Sequence, residues 1–270
     1  MADPILQPEE HANEQRATAS PTESIRPFDV VKLPTLGKLY TDGPLAGVEY
    51  VEVHYLTAKE EDILTSTNLI QSGKMIDALL RSVLRDRTID PQKMFLGDRN
   101  TILVWLRSTG YGAEYEVELQ CGACGDRFAH TFDLSALDVR ELDITPDEDG
   151  LFSLDLPVTK ETVRLRFLTA EEDAEIDKQV ALRTRKLGGG GNPMTARLLA
   201  YVKDVVGKDD NERKAFIESL PVRDTRAIRK FIADYEPSVV MQQDAQCTKC
   251  GHLNEEVGVP VTAQFFWPDA

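Results

Sequence analysis

All four cysteines of the chain sit in two short strings of one form, Cys121-Gly-Ala-Cys124-Gly125 and Cys247-Thr-Lys-Cys250-Gly251. Two thiols at this spacing share a tight turn that aims both sulfurs at one point. The glycine after each pair can take the positive φ that lets backbone N–H groups face the sulfurs. Together the two knuckles supply four sulfurs, the full donor set of a closed tetrahedral zinc site. Residues 125–246 lie between the pairs, so such a site clamps distant parts of the chain rather than closing a small finger. The expectation is one structural zinc per chain, held by Cys121, Cys124, Cys247 and Cys250.

Three other uses of a CxxC pair compete with this reading: a redox dithiol, an iron–sulfur site, and thiols with no metal. A thioredoxin-like motif opens a helix in a βαβ unit. Here the first pair follows the alternating Tyr115, Val117, Leu119 and precedes Phe128, His130, Phe132, which reads as strand, turn, strand. His130 and His252 could each replace a cysteine, but four thiols leave them as strand residues. Pairs of this type fit a reducing cytosol better than a secreted disulfide framework.

The recurrence extends beyond the knuckles. Val51-Glu-Val-His-Tyr-Leu-Thr-Ala-Lys-Glu-Glu-Asp62 returns as Val163-Arg-Leu-Arg-Phe-Leu-Thr-Ala-Glu-Glu-Asp173. Alternate apolar positions (Val51, Val53, Tyr55; Val163, Leu165, Phe167) predict a half-buried strand. Thr57 and Thr169 each stand three residues before a glutamate, Glu60 and Glu172, which is the capping box of a helix start. These acids therefore have a structural explanation, and no partner constellation makes them a catalytic pair. Further on, Met75, Leu79, Leu80 and Val83 predict an amphipathic helical face that Met194, Leu198, Leu199 and Val202 repeat. Asp98, Ile102, Trp105 and Leu106 correspond to Asp224, Ile228, Phe231 and Ile232.

The fold class expected is α+β, with tandem-duplicated strand-helix-helix-strand modules joined by a split four-cysteine zinc ribbon. Residues 1–26 read as a disordered acidic tail, 27–143 as the first repeat, and 144–162 as a linker. Residues 163–259 read as the second repeat, enlarged at Leu187-Gly-Gly-Gly-Gly-Asn-Pro193, and 260–270 as an aromatic C-terminal tail. Phe265, Phe266 and Trp267 either pack back on the body or anchor a partner. At 270 residues and 41% hydrophobic composition the chain can build its own core.

Several functions are disfavoured by what the sequence contains. A net charge of −15 argues against holding a phosphate backbone, and no basic patch flanks the knuckles. No apolar run approaches a membrane span, and Met1-Ala-Asp-Pro leads into a polar segment unlike a signal peptide. Gly188 to Gly191 lacks the Lys-Ser/Thr of a phosphate loop. Thr145-Pro-Asp-Glu-Asp-Gly150 resembles a calcium loop, but Thr145 and Leu156 stand where its anchoring carboxylates belong. There is no nucleophile elbow and no HExxH, so no enzyme activity is expected. Nothing in the sequence sets the oligomeric state.

In order along the chain, Leu33-Pro-Thr-Leu-Gly-Lys-Leu-Tyr40, Leu56-Thr-Ala-Lys-Glu-Glu-Asp-Ile-Leu64, Gly97-Asp-Arg-Asn100, Tyr111-Gly-Ala-Glu-Tyr115 and Cys121-Gly-Ala-Cys124 form a familiar set. This set resembles the baseplate hub and tail-assembly protein family of T-even-like contractile-tailed bacteriophages, over roughly residues 28 to 258. The resemblance implies a non-enzymatic protein of baseplate or hub assembly, either a hub component or an assembly factor. Its partners would be other phage tail proteins, met in the host cytoplasm and in the virion tail. The competing readings are a zinc-ribbon adaptor in other machinery, including a transcription-type nucleic-acid module, and a thiol oxidoreductase.

Overall fold

The computed structural model describes residues 26–187, 193–259 and 265–266. The acidic tail up to residue 25, the glycine string at 188–192, and residues 260–264 and 267–270 lie outside the described residues. The described chain is mixed α and β, with eight α-helices and small antiparallel sheets.

In order come β1 (Phe28–Lys32), β2 (Tyr50–His54), α1 (Ala58–Thr65), α2 (Thr67–Gln71), α3 (Met75–Val83) and α4 (Leu96–Tyr111). The first knuckle joins β3 (Glu114–Gln120) to β4 (Arg127–Asp133), and a short β5 (Val139–Arg140) follows. Then come β6 (Phe152–Asp155), β7 (Thr162–Leu165), α5 (Ala170–Leu187), α6 (Pro193–Tyr201), β8 (Val202–Val205), α7 (Asp210–Glu218) and α8 (Val222–Tyr235). A short β9 (Ser238–Val239) leads to β10 (Gln242–Gln246), the second knuckle and β11 (Leu253–Gly258).

Both stretches with the alternating pattern are strands, and each pairs with the strand before it. Val31 faces Val51 and Lys32 faces Tyr50, while Leu154 faces Val163 and Asp155 faces Thr162. The register is the same in the two hairpins, with a long connection (33–49) in one and a short one (156–161) in the other. Residues 144–162, expected as a linker, thus contain β6.

Both capping boxes are closed. The Thr57 N–H donates to the Glu60 carboxylate at 3.0 Å, and the Thr169 N–H donates to that of Glu172 at 3.1 Å. Arg26 already belongs to the fold, since its guanidinium meets Glu60 at 2.6 Å. Ser82 also donates to Glu60, while Lys203 reaches Glu172 at 2.7 Å.

A second pair of carboxylates pins the loops that follow the first strand of each hairpin. Asp98, in the first turn of α4, accepts from the Thr35 N–H (3.0 Å), the Thr35 hydroxyl (2.6 Å) and the Tyr40 hydroxyl (2.8 Å). Asp224, at the same place in α8, accepts from the N–H groups of Val158 (2.7 Å) and Thr159 (3.0 Å). Both side chains are fully buried. Satisfying otherwise orphaned loop donors is what repays the burial of a carboxylate.

One element departs from the periodicity. The apolar positions ending in Val202 predict continuous helix, but the helix stops at Tyr201 and Val202–Val205 becomes β8 beside β7, with Val163 facing Val205. Val202 and Val205 are buried by this pairing, and Met194, at the other end of the predicted face, is exposed. An open strand edge on β7 and two β-branched residues outweighed one more helical turn.

The largest core lies between the β1–β2 hairpin, α3 and α4. Phe265 and Phe266 close it from the far end of the chain, with the Phe265 ring 5.2 Å from that of Tyr115. A separate core under β7 and β8 gathers Leu156, Val163, Leu165, Leu198, Ile217 and Ile228. Backbone bonds join the two regions: Leu96 N–H to Leu168 O at 3.1 Å, and Ala170 N–H to Met94 O at 2.9 Å. The β5 strand pairs with β9 across the same seam. Gly97 is needed there, since a Cβ would sit 1.8 Å from the Pro237 carbonyl oxygen.

Glu60 yields a test of this framework. Burial alone would raise its pKa, but donors from Ser82 and Thr57 and the charge of Arg26 take it below the ordinary 4.5. Its contribution is therefore full above the unfolded-state pKa and is lost as pH falls through the folded one. Urea unfolding should show Glu60→Gln less stable than wild type by about 2 kcal/mol at neutral pH. That gap should narrow as pH drops below 4.5. A gap independent of pH would mean that the charge contributes nothing.

Candidate metal centre

The two knuckles are built alike. In each, the N–H of the residue two places after the first cysteine donates to its sulfur, Ala123 to Cys121 Sγ and Lys249 to Cys247 Sγ, both at 3.4 Å. The turn is closed by Gly125 N–H to Cys121 O (3.0 Å) and Gly251 N–H to Cys247 O (2.9 Å). Both glycines have φ of 76°, the left-handed region that disfavours a side chain. The flanking strands start from the same point, with Cys121 N–H on Asp126 O at 2.9 Å and Cys247 N–H on His252 O at 2.8 Å.

The hairpins bring these turns face to face. All four sulfurs lie within 4.8 Å of one another. Cys121 Sγ is 3.7 Å from Cys250 Sγ, and Cys124 Sγ is 3.9 Å from Cys247 Sγ. Metal–sulfur bonds of about 2.3 Å in a tetrahedron give sulfur–sulfur edges of about 3.8 Å, while a disulfide bond is about 2.0 Å. The four residues could therefore hold a metal ion. Cys121 and Cys247 are buried beside Phe128 and Ala245, while Cys124 and Cys250 form the exposed rim.

The electrostatics of the sulfurs point the same way. Backbone N–H groups of Cys124 and Ala123 hold the Cys121 thiol down to about 6. Cys124 is pushed up to about 12, because desolvation and its three sulfur neighbours outweigh the Asp126 amide. Four thiols this close cannot all ionise alone, whereas a dication at their centre removes the repulsion.

The other sequence candidates fall elsewhere. His130 meets Phe128 and Phe132 edge to face, with ring centroids 6.5 and 4.7 Å away, and burial lowers its pKa. His252 serves the second knuckle through its backbone carbonyl. Asp147 and Asp149, in the calcium-loop look-alike, clasp Arg164 at 2.6 and 2.7 Å. Among the described residues, no helix is long and apolar enough to cross a membrane.

Two supports were not anticipated. Gln120 and Gln246 each precede the first cysteine of a pair, and each side chain reaches over its turn to the carbonyl of Gly125 (3.1 Å) or Gly251 (3.3 Å). The shared Gln-Cys-x-x-Cys-Gly string was a usable signal. Asn254 gave none. Its Oδ1 accepts from Gly122 N–H at 2.9 Å and its Nδ2 donates to Ala245 O at 3.0 Å, so it ties the second hairpin to the first knuckle. The matching position in the first hairpin is Phe128. Only the tertiary approach of the hairpins assigns Asn254 this role.

A family model described as T4 bacteriophage base plate protein matches residues 28–267. No curated protein and no solved structure matches the chain.

Because Asn254 bridges the hairpins, Asn254→Ala should cost about 1–2 kcal/mol in urea unfolding. It should also speed the reaction of the two buried thiols with a disulfide reagent. Unchanged stability together with unchanged thiol kinetics would mean that the bridge is idle.

Proposed function

The chain belongs to the T4 bacteriophage base plate protein family, and on that premise we propose that it acts without catalysis in assembly of the phage baseplate or its central hub. It does so either as a hub component or as an assembly factor, through contacts with other tail proteins in the host cytoplasm and the virion tail. The observation that carries this reading is the family match over nearly the whole chain, 28–267. The cysteine cluster is consistent with it, since four protein sulfurs leave no open position for a substrate or an activated water.

We further propose that Cys121, Cys124, Cys247 and Cys250 bind one structural zinc per chain. The spacing of the sulfurs, their all-thiolate chemistry and the amide donors around them support it. The chain is also read as a tandem duplication, with repeats 27–143 and 163–259 and β6 joined to the second. Supporting this are the equal hairpin registers, the two capping boxes, the buried pair Asp98 and Asp224, and the twin knuckles. A zinc shared by the repeats would fix them together with an apparent binding free energy on the order of 10 kcal/mol.

Two measurements test these readings. Metal analysis should find one zinc per chain in the wild type and almost none in Cys247→Ser, although Cys121 and Cys124 remain; full retention in that variant would sink the shared site. Mass spectrometry of purified virions and of infected-cell lysate should find the protein with baseplate proteins in one or both. Stoichiometric recovery from virions means a hub component, and recovery only in tail-protein complexes of the lysate means an assembly factor. Absence from both would favour an adaptor in other machinery.

A further inference from the structure

The two halves of the chain touch through a short antiparallel pairing. Phe95, just before α4, bridges Thr169, just before α5. Leu96 N–H donates to Leu168 O at 3.1 Å, Ala170 N–H to Met94 O at 2.9 Å, and Glu171 N–H to Gln92 O at 2.9 Å. All three donors lie in the first turn of a helix, where backbone N–H groups have no partner within the helix, so each bond satisfies an orphan. Leu168 and Ala170 are buried there, and Leu96 packs on the cluster of Leu168 and Ile176.

This contact is one-sided. By the correspondence between the proposed repeats, Leu56-Thr57-Ala58 stands where Leu168-Thr169-Ala170 does, and Leu220-Pro221-Val222 stands where Met94-Phe95-Leu96 does. The backbone is carried over as well: Phe95 has φ −62° and ψ 146°, and Pro221 has φ −58° and ψ 146°. Neither of these counterparts is paired. Among the described residues, the N–H groups of Ala58, Lys59 and Val222 have no hydrogen-bond acceptor, and the carbonyls of Leu56, Glu218 and Leu220 have no donor. Val222 is 77% exposed, and Ala58 is exposed where Ala170 is buried. Proline at 221 costs the pairing nothing, because the bridge does not use the N–H at that position; at Phe95 it goes to the Tyr40 hydroxyl at 3.1 Å.

We infer that residues 218–222 of one chain pair with residues 56–59 of a second copy, reproducing between chains the contact that 92–96 and 168–171 make within one. Val222 N–H then donates to Leu56 O, Ala58 N–H to Leu220 O and Lys59 N–H to Glu218 O, and the Val222 side chain covers Leu56. A second copy is the occupant because it carries the matching edge, including the Leu-Thr-Ala string that both junctions share. The two edges are different patches, so the association is head-to-tail and propagates into a ring or a filament. The inference rests on the tandem-duplication reading and needs neither the metal nor the baseplate role.

Sedimentation equilibrium of the full chain tests it. Wild type should associate with a dissociation constant in the micromolar range, as befits a small contact. Ala58→Pro and Val222→Pro each remove one N–H at the first position of a helix, where proline is accommodated, and the residues before them, Thr57 and Pro221, are already extended. Both variants should therefore keep wild-type circular dichroism and associate about tenfold or more weakly. Hydrogen exchange separates the inference from the reading beneath it. The amides of Leu96, Ala170 and Glu171 should be protected at every protein concentration, and those of Ala58, Lys59 and Val222 only where the chain is associated. Freely exchanging Leu96 and Ala170 amides would remove the contact between repeats itself, and the inference with it. With those two protected, a wild type that stays monomeric, association unchanged in both proline variants, or Ala58 and Val222 amides that exchange freely at all concentrations would overturn the inference alone and leave the duplication standing. Protection of Ala58 and Val222 only by another tail protein would overturn it in favour of that partner.

Discussion

The approach of four sulfurs to within 4.8 Å of one another is the constraint on which the arrangement of this chain turns. The cysteines come from turns separated by residues 125–246, so the chain must leave the first hairpin, complete a second core and return. Close thiols do not by themselves supply the force for this. The high value at Cys124 expresses the conflict among them, because its three sulfur neighbours oppose its ionisation, while backbone N–H groups hold Cys121 low. What positions the turns is neutral structure: the φ of Gly125 and Gly251, the overreaching Gln120 and Gln246, and Asn254 between the hairpins. The proposed zinc would then lock a geometry already prepared by hydrogen bonds.

Buried and half-buried carboxylates do the corresponding work in the body of the protein. Asp98 and Asp224 reach from helix N-termini to loop N–H groups, and Glu60 and Glu172 join a helix start to cations on neighbouring segments. In each case the carboxylate meets several donors at once, which limits the cost of burying it, although at Asp98 burial outweighs the Thr35 and Tyr40 donors and raises the pKa. The helix dipole adds to this, since all four acids sit in a first turn. The acidic residues most conspicuous in the repeat are thus tied into structure, and the family assignment rests on no catalytic reading of them.

The sequence made legible what depends on short-range rules. The TAxE junctions and their strands follow from period-two alternation and cap chemistry, and the knuckles follow from CxxCG spacing. The switch from α6 to β8 at Val202 did not, because it is decided by the open edge of β7 and by no property of Val202-Lys-Asp-Val205 alone. Burial of Phe265 and Phe266 against Tyr115 left two readings open in the sequence, since an aromatic terminus serves a core and an interface equally well. Asn254 was invisible for the plainer reason that its partner, Gly122, is a backbone group on a distant hairpin.

The correspondence between α4 and α8 shows why similar local patterns end in different environments. The inward positions match: Asp98 with Asp224, Ile102 with Ile228, Trp105 with Phe231. The outward ones diverge, apolar in α4 and basic in α8, and the structure follows that divergence by enclosing the first helix and leaving the second open. The β9 strand packs on α4 and the C-terminal phenylalanines join the same core, both drawn from the far end of the chain. Once those segments are committed to α4, the described chain has nothing comparable left to cover α8. Arg223, Arg226, Arg229 and Lys230 keep that open face solvated, where apolar residues like those of α4 would leave an exposed hydrophobic patch.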